Sequence, residues 1–197
     1  MKITKYILNF RMKISVIIGF YKRLDLLSMI LQGLSKQTFK DFEVIIAEDN
    51  NNPNTIRFTT EFQSTVSSPI KVVQQDDIGF RKNKILNEPI KKSSGEVLVF
   101  FDGNCIPHYE CLSQHYLNTK DKTILSGRRV MGCNFSVKKE GLLAVNGFDE
   151  DYVKASVGEY VDLELRLLAC GYKLDSLKFK AIQYHIHHDS NYVEDDV

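Results

Sequence analysis

Residues 95–107 read GEVLVFFDGNCIP. The apolar run 97–101 is rich in β-branched and aromatic side chains, which predicts a short strand buried on both faces. The run stops at Asp102, and Gly103 allows the backbone to turn closely. Open α/β sheets bind ligands at the carboxyl ends of their strands, so Asp102 and Asn104 are candidate oxygen ligands for a hard divalent cation. The same residues also fit an ordinary Asp-Gly-Asn turn.

Strand-like and helix-like segments alternate on the amino-terminal side of this stretch. Apolar runs at 14–18, 42–47 and 70–73 predict strands, and the segments between them carry helical spacing or turn signals. With 197 residues and 43% hydrophobic content, the chain can bury one sizeable core. The alternation therefore predicts an α/β fold, in which a mostly parallel, Rossmann-like central sheet has helices on both faces.

Acidic side chains follow three of the predicted strands. They are Asp49, Asp77 and Asp102. Parallel strands share their carboxyl ends, so we expect the three carboxylates to lie along one edge of the sheet. Taken singly, Asp49 and Asp77 also fit helix capping or turn chemistry.

Several short motifs stand in order along the chain. They include SVII at 15–18, DFEVI at 41–45, DIGFR at 77–81 and DGNCIPH at 102–108. Each is weak alone, but their order and spacing resemble the family 2 glycosyltransferases of the GT-A fold, in particular the polysaccharide-building branch. The resemblance covers nearly the whole chain, from about residue 13 to residue 188.

The resemblance implies a site for a nucleotide-sugar, usually a UDP-sugar, and a divalent cation, Mn²⁺ or Mg²⁺, that bridges the diphosphate. The residues at the matching donor positions are Phe20, Tyr21, Arg23, Glu48, Asp49, Asp77, Arg81 and Asp102. The matching metal positions are Asp102, Asn104 and His185, with His188 as second choice; a plain surface histidine is the alternative for His185. Asn104 replaces the second acid of the family's Asp-x-Asp, and an amide oxygen brings no charge to a cation.

A helix is predicted to begin near Gly158 and to be closed by Gly171. The resemblance implies that an acid in its first turn is the general base that deprotonates the acceptor. Here Glu159 is kept, Tyr160 replaces the second acid, and Asp162 matches a further acidic position. Glu159 or Asp162 is therefore predicted to be the base, although acids at a helix start also stabilise the helix without any catalytic role.

We expect a leader over residues 1–12 and a single GT-A-like domain over 13–197. Within that domain, 13–107 is predicted to form the nucleotide-sugar half and 108–197 the acceptor half. A segment that relatives often have is expected to be missing at 129–132, which would remove part of an acceptor pocket or a lid.

Charge and hydropathy restrict the partners. The 26 basic and 25 acidic residues give a net charge of +1, so no overall field attracts nucleic acid. No apolar run approaches the roughly 18 residues that a membrane span needs, so no transmembrane segment is expected. The expectation is a soluble or peripheral protein in the cytoplasm, or at the inner face of the cell membrane. Four cysteines without a CxxC pair fit reduced thiols.

The sequence hypothesis is a metal-dependent, inverting transfer of a sugar from a UDP-sugar to a hydroxyl of a carbohydrate or lipid-linked glycan, in surface polysaccharide synthesis. One alternative is a nucleotide-sugar-binding module that has lost turnover, because Asn104 and Tyr160 replace acids at chemical positions. A second is an enzyme resembling the sugar-nucleotide pyrophosphorylases, but their glycine-rich phosphate loop is absent after the first predicted strand.

Overall fold

The structure is a computed structural model, and it describes residues 13–127, 133–154 and 158–187. The predicted leader at 1–12 and the missing segment predicted at 129–132 lie outside these residues. Within the described ranges, no helix has both the length and the apolar character needed to cross a bilayer.

The described residues form the following elements. The strands are β1 Ile14–Phe20, β2 Phe42–Glu48, β3 Ile70–Gln74, β4 Val97–Asp102, β5 Cys105–Pro107, β6 Thr123–Ser126, β7 Phe135–Lys138, β8 Lys173–Ser176 and β9 Gln183–His185. The helices are α1 Leu24–Ser35, α2 Pro53–Gln63, α3 Lys82–Lys92, α4 Cys111–Asn118, α5 Lys139–Ala144 and α6 Glu159–Ala169.

Seven strands form one sheet in the order β3-β2-β1-β4-β7-β6-β8. β1 pairs in parallel with β2 and β4, and β2 pairs in parallel with β3. β7 runs antiparallel to β4 and β6, whereas β8 is parallel to β6. β5 and β9 form a separate antiparallel ribbon. The predicted α/β fold with a mostly parallel central sheet is confirmed.

The central strand β1 separates two hydrophobic cores. Val16 and Ile18 face the core that includes Leu27 of α1, whereas Ile17 faces the core that includes Leu86 of α3 and Leu163 of α6. All seven residues of β1 are buried, because helices cover both faces of the sheet. Successive side chains of a strand point to opposite faces, so one apolar run supplies both cores.

Some predicted boundaries differ from the observed ones. The sequence GFR at 79–81 predicts the opening of a helix that runs to about Lys91, but α3 begins at Lys82, because the φ of +63° at Gly79 is incompatible with a right-handed helix. The sequence AIQYHIHH at 181–188 predicts a strand, but within its described part, 181–187, only 183–185 pair with β5. Gly171 does follow the end of α6, with a φ of +83°.

Candidate functional site

The carboxyl ends of β1 to β4 meet at one edge of the sheet, because these four strands run in the same direction. Asp49 directly follows β2, and its backbone N–H donates to the carbonyl oxygen of Phe20 at 3.1 Å. The Tyr21 hydroxyl lies 3.3 Å from Oδ1 of Asp77, beyond the end of β3. Asp102 ends β4 beside Gly19 of β1. The acids predicted to share one edge are therefore found there.

The Asp49 carboxylate links β2 to the start of α3. Its Oδ1 accepts a hydrogen bond from Nε2 of Gln75 at 2.6 Å, and its Oδ2 accepts one from the backbone N–H of Arg81 at 2.8 Å. The Arg81 guanidinium in turn donates to the carbonyl oxygen of Asp76. Asp49 therefore holds Arg81, the residue directly before α3, against the end of β2.

Two further residues predicted to bind the donor nucleotide-sugar are engaged by other side chains of the protein. Glu48 is fully buried and accepts hydrogen bonds from Thr55 Oγ1 at 2.8 Å and from Gln74 Nε2 at 2.6 Å. Burial raises the pKa of the Glu48 carboxyl above its usual value. Arg23 forms an ion pair with Asp25 in the first turn of α1, with 2.6 Å between NH2 and Oδ2. The Glu48 carboxylate thus connects the end of β2 to α2 and β3. Arg23, in contrast, is held by Asp25 of α1.

A cluster exposed to solvent joins the β1 and β3 loops. Lys22 Nζ lies 2.7 Å from Oδ2 of Asp77 and donates to the Tyr21 hydroxyl at 2.6 Å. The hydrogen bond from Lys22 lowers the pKa of the Asp77 carboxyl. This cluster presents an aromatic ring, a cation and a carboxylate at the strand edge, a combination that can contact a base, a phosphate and a ribose.

Lys82, Asp102 and Tyr160 form the centre of the site. Nζ of Lys82 donates to Oδ1 of Asp102 at 2.6 Å and lies 5.3 Å from the centre of the Tyr160 ring. Burial alone would lower the pKa of Lys82, but the neighbouring Asp102 carboxylate and the Tyr160 hydroxyl hold it well above its usual value. Burial also raises the pKa of the Tyr160 hydroxyl well above its usual value. At neutral pH the site therefore contains an ammonium and a neutral phenol.

The two acids of the α6 first turn have different partners. Glu159 is only 6% exposed, and its Oε2 accepts a hydrogen bond from the Gly158 N–H at 3.2 Å. Asp162 accepts hydrogen bonds from Arg166 Nε at 2.9 Å and NH2 at 2.6 Å. Arg166 also donates to two carbonyl oxygens of the loop 145–147. Asp162 therefore orients an arginine that holds this loop, and Glu159 is the acid at the start of the helix.

The predicted metal residues lie along the β5–β9 ribbon and the end of β4. His185 is paired with Cys105, and the Ile186 N–H donates to the Asn104 carbonyl oxygen at 2.9 Å. Oδ1 of Asn104 accepts from the Cys105 thiol at 3.2 Å. Among the described residues there is no group of three or more His, Cys, Asp or Glu side chains that could hold a metal ion. Because Asp102 is already in an ion pair with Lys82, the predicted set of Asp102, Asn104 and His185 does not fit a divalent ion. His188, the second choice, lies outside the described residues.

Two lysines of the site are not among the residues predicted from the sequence. Lys22 stands between the predicted residues Tyr21 and Arg23, and Lys82 directly follows Arg81. The sequence signal for a role of these lysines was that they lie next to predicted site residues. A lysine at the start of a helix is usually exposed to solvent, so this signal is weak. The contact with Asp102 joins positions 20 residues apart, and it depends on the pairing of β1 with β4.

Several glycosyltransferases of known or assigned activity are similar to this chain. The GalNAc(5)-diNAcBac-PP-undecaprenol beta-1,3-glucosyltransferase of Campylobacter jejuni is 28% identical over 132 residues, which are 67% of this chain and 41% of that protein. Chondroitin synthase of Escherichia coli is 29% identical over 96 residues, which are 48% of this chain and 14% of that protein. The chain thus spans less than half the length of these relatives.

Solved structures share the fold. S. aureus TarS 1-349 in complex with UDP-GlcNAc has a TM-score of 0.73 at 18% identity, over 91% of this chain and 60% of that chain. The mannosyltransferase PcManGT from Pyrobaculum calidifontis, in complex with GDP-Man and Mn²⁺, has a TM-score of 0.73 at 16% identity, over 87% of this chain and 56% of that chain. These likenesses show a GT-A-like fold. The sequence profile of Glycosyl transferase family 2 matches residues 15–148, more than half of the chain, which therefore belongs to this family.

Proposed function

We propose that this chain transfers a sugar from a UDP-sugar to a hydroxyl group of a carbohydrate or lipid-linked glycan, with inversion at the anomeric carbon. One observation carries the proposal: the parallel strand ends and the first turn of α6 meet around Lys82, which contacts Asp102 of β4 and the ring of Tyr160. A donor bound across the strand ends would thus have its diphosphate at Asp102 and its sugar near Glu159.

The donor side is supported by the cluster of Tyr21, Lys22 and Asp77 and by the position of Asp49. Carboxylates accept hydrogen bonds from ribose hydroxyls and from the N–H of uracil, and an aromatic ring can pack against the base. The same strand ends are held together by hydrogen bonds of Phe20, Glu48 and Arg81. The solved relative TarS contains UDP-GlcNAc, whereas PcManGT contains GDP-Man.

On the acceptor side, we propose that Glu159 is the base that accepts the proton of the acceptor hydroxyl. Inversion needs one direct displacement, in which a base takes the proton of the attacking hydroxyl as the bond to the diphosphate breaks. Tyr160 does not serve as that base, because burial keeps its pKa far above neutral pH. Asp162 is the alternative, but its carboxylate is engaged by Arg166 at 2.6 Å.

Mn²⁺ or Mg²⁺ stays a prediction from the family resemblance. PcManGT and GalNAc-T7 have been solved with Mn²⁺. In this chain the residues at the expected position are one carboxylate, already paired with Lys82, and the amide of Asn104. We therefore assign no step of the reaction to a metal ion. A place of action in the cytoplasm or at the inner membrane face, and a role in surface polysaccharide synthesis, likewise stay predictions.

A second candidate function is a nucleotide-sugar-binding module without turnover. The observation that favours it is Tyr160, whose ring packs edge-on against Phe148 at 5.6 Å and Phe135 at 6.3 Å. The Tyr160 ring therefore packs against the hydrophobic core as well as lying at the site. A module of this kind would bind donor and leave it intact.

Calorimetry and a transfer assay test the proposed function. We expect UDP to bind, and we expect Asp77→Ala to weaken binding by about tenfold, because one charge-assisted hydrogen bond is lost. The matched control is Asp76→Ala, an exposed acid one position away, which should bind as the parent does.

A panel of UDP- and GDP-sugars with glycan and lipid-linked acceptors then separates the two candidates. Release of nucleoside diphosphate that depends on acceptor supports the transferase. Donor binding with no transfer to any acceptor supports the binding module. If neither UDP nor GDP binds at millimolar concentration, the donor-site assignment is wrong.

A further inference from the structure

We propose that the ammonium group of Lys82 takes the place of the divalent cation at the donor diphosphate, so that this protein binds its donor without metal. The inference rests on the proposed function, since it concerns how the proposed donor is held.

The fold places the Lys82 side chain across the end of the sheet. Lys82 is the first residue of α3, and its chain passes over Gly19 of β1 to reach Asp102 of β4. A Cβ atom on residue 19 would lie 3.2 Å from Cε of Lys82 and 3.9 Å from Oδ1 of Asp102. The side chains of Lys82 and Asp102 are 22% and 27% exposed, so the pair is partly sheltered but open to a ligand.

The charge of the site balances without a metal ion. An Asp-x-Asp pair brings two negative charges, which a divalent cation neutralises. Here Asn104 removes one of those charges, and the single ammonium of Lys82 neutralises the other at 2.6 Å from Asp102. A divalent ion bound to Asp102 would lie within about 4–5 Å of the ammonium, and the two cations would repel each other.

The substitution at position 160 fits the same arrangement. The Tyr160 ring centre lies 5.3 Å from Nζ of Lys82, where the ring face attracts a cation, and the Tyr160 hydroxyl also interacts with the ammonium without adding a negative charge. An aspartate at this position would offer a second carboxylate and could draw the ammonium away from Asp102. Asn104 and Tyr160, which both replace acids of the family pattern, therefore leave Lys82 paired with a single carboxylate.

The chemistry of the ammonium suits a diphosphate. Lys has three N–H donors, of which Asp102 and the Tyr160 hydroxyl engage up to two, so at least one remains for a phosphate oxygen. Hydrogen bonds from a cation to a phosphate oxygen are about twice as strong as neutral ones. The same group can stabilise the charge of the departing diphosphate, because it is already held at the strand end when the donor binds.

Calorimetry of UDP binding in EDTA and in Mn²⁺ tests the inference. We expect the parent to bind UDP in EDTA with an affinity within about twofold of that in Mn²⁺. Lys82→Met should weaken UDP binding by roughly tenfold or more, because a charge-assisted contact is lost, while uridine binding stays unchanged. Lys84→Met is the matched control, an exposed lysine on the same helix, and it should leave UDP binding unchanged.

A second variant keeps the test decisive if Lys82→Met does not fold. The variant Asn104→Asp restores the second acid of the pair without touching the core, and we expect its UDP affinity to rise about tenfold on adding Mn²⁺. The inference is overturned if EDTA abolishes UDP binding by the parent and Mn²⁺ restores it, a result that leaves the proposed function intact. It is also overturned if Lys82→Met and Lys84→Met bind UDP equally. Failure of the parent to bind UDP, GDP and uridine under both conditions would instead reject the donor site itself.

Discussion

Among single residues, Glu159 and Asp162 are two acids in one helical turn that have different partners. Glu159 is the first residue of α6 and is 6% exposed, whereas the carboxylate of Asp162 is held by Arg166. Both acids are stabilised by the helix dipole, so their position in the helix does not distinguish them. Their partners do, and they favour Glu159 as the base and Asp162 as a positioning residue.

The first prediction separates these tasks. Glu159→Gln should lower kcat for sugar transfer by roughly 10²–10⁴-fold, with donor affinity nearly unchanged, because proton removal is lost. Asp162→Asn should instead lower the free energy of unfolding by about 1–2 kcal/mol, because Arg166 loses a charged partner. Steady-state kinetics and thermal unfolding of both variants give the comparison. If only Asp162→Asn stops transfer while its stability is unchanged, the base is Asp162.

Among the secondary-structure elements, the buried carboxylate of Glu43 connects the strands near the amino ends of β1 and β2, opposite the carboxyl ends that carry the site. Glu43 Oε1 accepts from Ser15 Oγ at 2.6 Å and from the Ser94 N–H at 2.6 Å, and Oε2 lies 2.7 Å from Nζ of Lys71. A Cβ atom on Gly95 would meet the backbone of Ser15, so the chain can pass only without a side chain there. The network ties β1, β2, β3 and the approach to β4 together.

The second prediction concerns the pH dependence of this network. Burial alone would raise the pKa of Glu43, but hydrogen bonds from Lys71, Ser15 and Ser94 lower it to about 2. A lowered folded-state pKa gives stability that is present above the unfolded pKa and is lost as pH falls through the folded pKa. Glu43→Gln should therefore lower the free energy of unfolding at pH 7 by about 2 kcal/mol.

The difference between the parent and Glu43→Gln should shrink as pH falls from about 4.5 to about 2. Urea unfolding at several pH values measures it. Lys71→Met is the control, and it should cost less than about 1 kcal/mol because Lys71 is half exposed. A difference that is constant over pH would mean that the Glu43 charge is not what stabilises the network.

At the scale of the whole molecule, a buried histidine connects elements from distant parts of the chain. His115 of α4 contacts Ser136 Oγ of β7 at 2.8 Å and Asn134 Oδ1 at 2.9 Å. The Asn134 amide donates to the Ala181 carbonyl oxygen at 2.7 Å, and its backbone N–H donates to that of Phe100 at 2.8 Å. The network joins the end of β4 to the second half of the sheet.

The third prediction follows from the pKa of His115, which burial lowers to about 4. Between about pH 6.5 and pH 4 the unfolded chain binds a proton at this position and the folded chain does not, so stability falls as pH falls. The loss over this range is about 3 kcal/mol, and above pH 6.5 the group has no effect. The Glu43 contribution is lost at lower pH, so the two effects can be separated.

Urea unfolding at pH 7.5, 5.5 and 4.5 measures the slope. His115→Gln should flatten it between pH 6.5 and pH 4, because glutamine does not titrate. His187→Gln, at an exposed position, is the control and should keep the slope of the parent. An unchanged slope in His115→Gln would assign the pH dependence to other groups.

Sequence patterns specify the parallel half of the sheet and the strand ends that carry the site. The apolar runs of β1, β2 and β4 are long enough to specify buried strands, and a parallel sheet brings every carboxyl end to one edge. Asp49 and Asp102 could therefore be placed together without coordinates. The order and spacing of the motifs likewise indicate the family from the sequence alone.

The contacts of those acids, in contrast, depend on tertiary packing. The pairing of Lys82 with Asp102, its contact with the Tyr160 ring and the Arg166 partner of Asp162 depend on how α3 and α6 pack against the sheet. Strands such as β5 and β9 have three residues each, which is too short for a periodic signal. Side-chain partners across long sequence separations are set by packing and loop closure, which local sequence patterns do not encode.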